Sequence, residues 1–202
     1  MTETLKDHLV TLDLSEPIWD RVFMVFPLTL VGTRELDGGH DLATKHLVVP
    51  LSWQNHIGFV CTPRHHTYSN IRREKVFTIS YLQPSQILQA SLAAAPRCDG
   101  DTKPSVSAIP VFPAQQVEGV LVKGAYLHFE CELDRIVDDF DVHSLICGRI
   151  VAAHVNEHFL RLLEKDDQDL VHAHPLLAYL HPSRFAAIDS SSSFPFPEGM
   201  KK

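Results

Sequence analysis

Thirteen histidines in a chain of 202 residues put metal chemistry first in line, because imidazole is the commonest metal ligand. His154, Glu157 and His158 spell HxxEH, the inverted zinc-protease signature, which needs both histidines on one helical face. The residues before Asn156 read as a strand, so His154 and His158 straddle a strand-to-helix junction and cannot share such a face. His172 and His174 lie two apart before Pro175, the mark of a polar loop, and no metal site is assigned. Nucleophilic catalysis lacks a GxSxG elbow, and neither GxGxxG nor GxxxxGK[ST] supplies a nucleotide-phosphate loop. What remains is an anion-seeking cluster: Thr62, Arg64, Thr67, Ser69 and Asn70 surround the predicted start of a short helix. Unpaired N–H groups and the helix dipole favour a phosphate there, although ordinary capping by Thr67 would use the same residues.

Composition narrows the classes further. A formal charge of −7 argues against a protein whose main work is gripping nucleic acid. No apolar run approaches the ~20 residues of a membrane helix, and the start MTETLKDH lacks the basic and apolar regions of a signal peptide. A cytoplasmic protein is expected. The four cysteines, Cys61, Cys98, Cys131 and Cys147, show no CxxC spacing, and free thiols, mostly buried, are expected.

The elements that must position the cluster read mostly as strands. Val22 to Val31 is almost continuously apolar, with a bulge or edge implied at Pro27. A loop at Leu36 to Asp41 precedes apolar segments at His46 to Trp53 and His56 to Cys61. A helix capped by Thr67 runs to Lys75, a strand spans Val76 to Leu82, and Ser85 opens a helix with Ile87, Leu88, Ser91, Leu92 and Ala95 on one face. Cys98 to Pro113 is a long loop, of the kind that often carries function. Strict alternation from Ala125 to Asp134 predicts a strand with Tyr126, His128, Glu130 and Glu132 on a wet face. Leu145 to Val155 is a further strand. A helix capped by Asn156 with Phe159, Leu160, Leu162 and Leu163 follows, then a last strand from Leu176 to Ile188. About six strands with short helices between them predict a mainly β fold, a closed antiparallel barrel in a single domain over residues 1–189, with a tail over 190–202.

Four segments in register resemble the flavin reductase-like family. HHTYSNIRREKVFTIS is similar to its DTxxNIxxTxxFxVN stretch, matching at Thr67, Asn70, Ile71 and Phe77, with His66 in place of the Asp. Leu42 to His46 resembles the NLAPxS turn, with Asp41, Thr44 and His46 replacing the Asn, Pro and Ser. Leu127 to Leu133 resembles the LEC strand, and HSLICGRIVAAHV the HxLxIGxVVxxxV strand at His143, Gly148 and Val151. The resemblance implies an FMN-binding split barrel working as a homodimer with FMN or FAD. Ala43, Thr44, Lys45 and His46 would lie along the isoalloxazine, Cys61 and Thr62 along the ribityl chain, Thr67 and Asn70 at the phosphate. Lys103 would be a cation near the flavin and His143 a group near the nicotinamide. It further implies hydride transfer from NADH or NADPH, with electrons passed to a partner oxygenase or another acceptor. Two other readings stay open: an FMN-binding electron carrier without nicotinamide turnover, and a flavin-free barrel used for binding or assembly.

Overall fold

Pro27 divides the apolar run at the start of the chain. In the computed structural model, which describes residues 8–162 and 166–199, β1 (Met24–Pro27) and β2 (Thr29–Arg34) belong to different sheets. A proline has no N–H to give to a ladder, and the chain passes from one sheet to the other immediately after it. The expectation of one continuous strand is therefore corrected.

The main sheet contains β2, β3 (His40–Lys45), β4 (Val48–Pro50), β5 (His56–Cys61), β6 (Val76–Tyr81), β9 (Leu127–Phe140) and β10 (His143–Val155). Their order is β3-β2-β6-β9-β10-β5-β4, with antiparallel neighbours, and the sheet curls into a half-barrel. The mainly β architecture agrees with the sequence reading. Within the predicted strand at His46 to Trp53 only Val48–Pro50 pairs, and Trp53 stands in solvent. The predicted last strand is a hairpin of β11 (Leu176–His181) and β12 (Arg184–Ile188), and β1 joins its free side to make a three-stranded sheet. The long loop contains a 3₁₀ turn at Pro104–Ala108 and leads into β7 (Val111–Pro113), which pairs with β8 (Val120–Val122).

Helix α1 (His66–Glu74) starts after His65, whose extended backbone makes it the N-cap, so Thr67 lies inside the first turn and is not the cap. Helix α2 (Ile87–Ala94) buries Ala90 and Ala93, with Gln86 just before it, while Leu88 is exposed. Of the predicted face Ile87 and Leu92 do pack against the core, while Leu88 and Ser91 are exposed and the closest approach falls to the small Ala90 and Ala93. Asn156 does accept the N–H of His158, but it caps a 3₁₀ turn at Glu157–Phe159 rather than a longer helix; Leu163 lies outside the described residues. His154 ends in a strand and His158 in that turn, so the HxxEH residues share no helix. His172 sits in the last turn of α3 (Asp167–Ala173), which the sequence reading took for loop. Among the described residues, no helix is long and apolar enough to cross a membrane.

The core lies on both sides of β6 and β9, with Phe59, Phe77, Ile79, Ile71 and Ile146 almost wholly buried. Gly148 in β10 is needed there, since a Cβ on it would stand 2.4 Å from the Phe77 ring. Cys61, Cys131 and Cys147 are buried free thiols and Cys98 is an exposed one.

The wet face predicted for β9 is wrong at its centre. Glu130 is fully buried and accepts the backbone N–H groups of Gln115, Gln116 and Val117 at 2.5–3.1 Å, and the His154 ring at 2.9 Å. Burial alone would raise its pKa, but those hydrogen bonds outweigh it and hold the carboxyl below its ordinary range. The carboxylate thereby ties down the β7–β8 connection. His128, two residues earlier, is buried beside Ser80, whose Oγ lies 3.0 Å from His128 Nδ1 and accepts the Val122 N–H.

Burial, helped by the neighbouring His154, pulls the His128 pKa down to about 4. In the unfolded chain it returns to about 6.5, so this stabilisation is complete above that pH and is lost as the pH falls towards the folded value. Urea unfolding at pH 7.5 and pH 5 should show His128→Asn losing about 2 kcal/mol less stability than wild type over that interval. Equal losses in both proteins would show that His128 is not the group responsible.

Candidate functional site

Strand β3 is an edge of the main sheet, paired on one side only. Its free side, the start of α1 and the end of α2 enclose a cavity of about 310 Å³, closed by the segment from Arg97 to Lys103. Ligand pockets begin at about this size. A second cavity of about 330 Å³ shares Asp41, His66, Arg97 and Lys103 with it.

Three kinds of contact hold the walls. Thr44 Oγ1 donates to the Ala90 carbonyl at 2.6 Å, joining β3 to α2. Lys103 Nζ donates to Leu42 O at 2.9 Å and to Ala93 O at 2.6 Å, and lies 3.5 Å from Asp41 Oδ1. Ala93 is in the last turn of α2, where carbonyls lack helical partners and a cation is favoured. Burial lowers the Lys103 pKa, an effect that Asp41 opposes. The third contact is a chain of charges: Arg97 binds Glu35 and the Asp101 carbonyl, while His66 places Nδ1 3.2 Å from Glu35 and Nε2 2.7 Å from Asp101. Burial would raise the Glu35 pKa, but His66 and Arg97 outweigh it and keep the carboxyl below its usual range.

The cavity is cationic. Lys45, Arg64, Arg97 and Lys103 line it together with the N-terminus of α1, against one carboxylate, Asp41. Asp41 Oδ1 is buried without a hydrogen bond, at salt-bridge distance from Arg97 and Lys103. Lys45 is 8% exposed, and its Nζ reaches Cys61 Sγ and His65 Nδ1, both at 3.5 Å. Burial, then Lys45 and Lys103, lower the His65 pKa, so this imidazole is neutral near pH 7. Burial raises the Cys61 thiol in spite of Lys45.

Of the residues singled out in the sequence, Ala43, Thr44, Lys45, Thr67 and Lys103 line this one cavity. Cys61 lies behind Lys45. His46 faces the other way, its ring 5.6 Å from Phe26, 4.8 Å from Tyr179 and 5.5 Å from His181. Asn70 is buried and donates to Thr33 Oγ1 at 3.1 Å. Thr62 and His143 line a neighbouring cavity of about 320 Å³, with Tyr68 and Asp138. Sequence reasoning passed over His65, Arg97 and the α2 end at Ala93–Pro96. The signal for Arg97 was its place directly after Pro96, between the end of α2 and the long loop.

The model of the flavin reductase like domain matches residues 21–178. No protein of curated function matches in sequence. Solved structures with the same fold include a split barrel domain protein from Shewanella frigidimarina NCIMB 400, 18% identical, covering 86% of this chain and 87% of that one with a TM-score of 0.73. The flavoredoxin of Desulfovibrio vulgaris (Miyazaki F) is 19% identical, covering 95% and 100%, with a TM-score of 0.75. Nitrilotriacetate monooxygenase component B from Bacillus cereus is 15% identical, covering 93% and 100%, with a TM-score of 0.78. At such identities the likeness is one of fold, the split barrel.

Glu35→Gln removes the charge that Arg97 and His66 share. Amide exchange at Cys98 and Asp101, whose N–H groups bond within that turn, should quicken severalfold by hydrogen-exchange mass spectrometry. Unchanged exchange would mean that Glu35 does not hold the segment.

Proposed function

The chain belongs to the flavin reductase-like family, and from that premise we propose that it is a flavin-dependent oxidoreductase of the NAD(P)H:flavin reductase type. The observation that carries this reading is the cationic cavity between an open strand edge and a helix N-terminus. Such a site suits a ligand with one flat polar edge and one phosphate. The residues fit: a buried ammonium at Lys45, an unsatisfied buried Asp41 oxygen, and a helix start at His65 to Thr67. FMN, or FAD, would supply the redox chemistry, taking up a hydride from NADH or NADPH and releasing electrons to an acceptor.

In this reading the first turn of α1, with Thr67, holds the phosphate through N–H groups that have no helical partner. The free side of β3 from Ala43 to Lys45 offers backbone donors and acceptors to the ring, and Thr44 is held rigid by its bond to Ala90. Lys103 donates to the Leu42 and Ala93 carbonyls, pairs its charge with Asp41, and so shapes the wall. Asn70 supports the site by anchoring α1 to β2 through Thr33, and Cys61 by backing Lys45. His46, with Tyr179 and His181, fixes the end of β3 against β11. Thr62 and His143, in the adjoining cavity, are offered as the approach for the nicotinamide. No strong acid or base is required, because orientation and exclusion of water are the protein's share.

The reading includes one domain over residues 1–189 with a tail, in a cytoplasmic homodimer. Exposed apolar side chains at Leu47, Val49 and Leu51, on and beside the edge strand β4, support a second copy there. Nitrilotriacetate monooxygenase component B is by its name one part of an oxygenase system, which supports a partner oxygenase as acceptor. The likeness to flavoredoxin supports the second reading, an electron carrier that binds FMN without turning over nicotinamide.

Anaerobic titration of the FMN-loaded protein with NADH and NADPH separates the two: rapid bleaching of the flavin band is expected of a reductase, and persistent colour would leave the carrier. Thr67→Val should weaken FMN binding by about 1.5–3 kcal/mol, the value of a hydrogen bond to a charged group. An unchanged dissociation constant would remove Thr67 from the phosphate seat.

A further inference from the structure

The two buried lysines of the cavity are not equivalent. Lys103 donates to two carbonyls and stands 3.5 Å from the Asp41 carboxylate, so its charge is balanced within the protein. Lys45 is at least as deeply buried, yet among the described residues its Nζ has as hydrogen-bond partners a thiol sulfur and an imidazole nitrogen, both at the 3.5 Å limit of a hydrogen bond. Neither partner carries negative charge: burial keeps the Cys61 thiol protonated and holds the His65 ring neutral. Among the described residues, no carboxylate lies within salt-bridge distance of Lys45. An isolated ion taken out of water costs several kcal/mol, and a fold keeps one where something else supplies the opposite charge.

We propose that the side chain of Lys45 is the charge partner of an anionic group on the cavity's ligand, so that the apo protein carries an electrostatic debt which ligand binding cancels. This rests on the flavin reading above and deepens it: there the β3 backbone meets the ligand, and here the ammonium selects for charge. The anion is either the phosphate monoester or the deprotonated reduced ring, both of which place negative charge on an otherwise neutral flavin.

The test uses Lys45→Met, which removes charge and donors, and Lys45→Gln, which keeps donors for Cys61 and His65 without charge. Melting temperature of the ligand-free proteins, dissociation constants for FMN and riboflavin, and the midpoint potential of bound FMN are measured. The ligand-free variants should melt no lower than wild type, because an uncompensated charge has gone. FMN affinity falling tenfold or more in both variants, with riboflavin unchanged, assigns the phosphate. Unchanged affinity for both oxidised ligands with a potential lowered by about 30 mV or more, a tenfold loss on the two-electron reduced form, assigns the ring. Equal affinities and potential in all three proteins would overturn the proposal, as would wild-type FMN affinity in Lys45→Gln alone, since hydrogen bonding and not charge would then be the requirement. If wild type itself fails to bind FMN, the flavin reading falls; the same three proteins are then titrated with inorganic phosphate. Stabilisation of wild type only upholds the role of Lys45, and an equal or absent shift rejects it.

Discussion

The Lys103 ammonium joins a loop to two elements of the fold: it meets the Leu42 carbonyl and the Asp41 carboxylate on the open edge strand β3, and the Ala93 carbonyl at the end of α2. Each is a group that would be costly to bury alone. An edge strand leaves carbonyls without a ladder partner, a helix end leaves its last carbonyls free, and an isolated buried carboxylate is more expensive than either. One cation stands against all three, and together with the Thr44–Ala90 bond it ties sheet to helix. The cavity is the space that remains, walled by β3 residues on one side and by residues after α2 on the other.

The charged chain from Glu35 through Arg97 and His66 to Asp101 performs the same service on the outer side. It fastens the Arg97 to Lys103 segment to the tip of the β2–β3 hairpin and to α1. With Arg97 and Lys103 so committed to the framework, Lys45 is the buried lysine of the cavity with no carboxylate beside it among the described residues, and the site gains a direction: charge is balanced on the Arg97–Lys103 side and unbalanced beside Lys45.

What the sequence disclosed, and what it hid, divides along the range of the forces involved. Strands β5, β6 and β10 were legible because apolar runs of branched residues need no partner to be recognised. The alternation in β9 was equally plain, but it assigned Glu130 to solvent, since nothing local says that three backbone N–H groups from residues 115–117 will close over it. The break at Pro27 was visible as a defect and not as a change of sheet, because the destination of β1 is written near the other end of the chain. In the site, the family pattern led to Ala43, Thr44, Lys45, Thr67 and Lys103, which no spacing connects. It also led to His46 and Asn70, whose side chains turn instead to Tyr179 and Thr33. Arg97 and His66 both reach Glu35, dozens of residues away in sequence, and no periodicity announces such pairs.

The pairing of β1 with β11 sets Met24 opposite His181, and it orders events in time. A ribosome releases the N-terminal strand long before its neighbour exists, and contacts so distant in sequence form late. Through that interval Val25 and Phe26 sit on a strand with no ladder, the kind of exposed edge that invites mispairing and chaperone attention. His46 packs against Phe26 and Tyr179, so the end of β3 is braced only when this small sheet closes. The Lys45 side of the cavity is then among the last parts of the nascent molecule to be completed, and a chain truncated before residue 176 would be made with that wall unbraced.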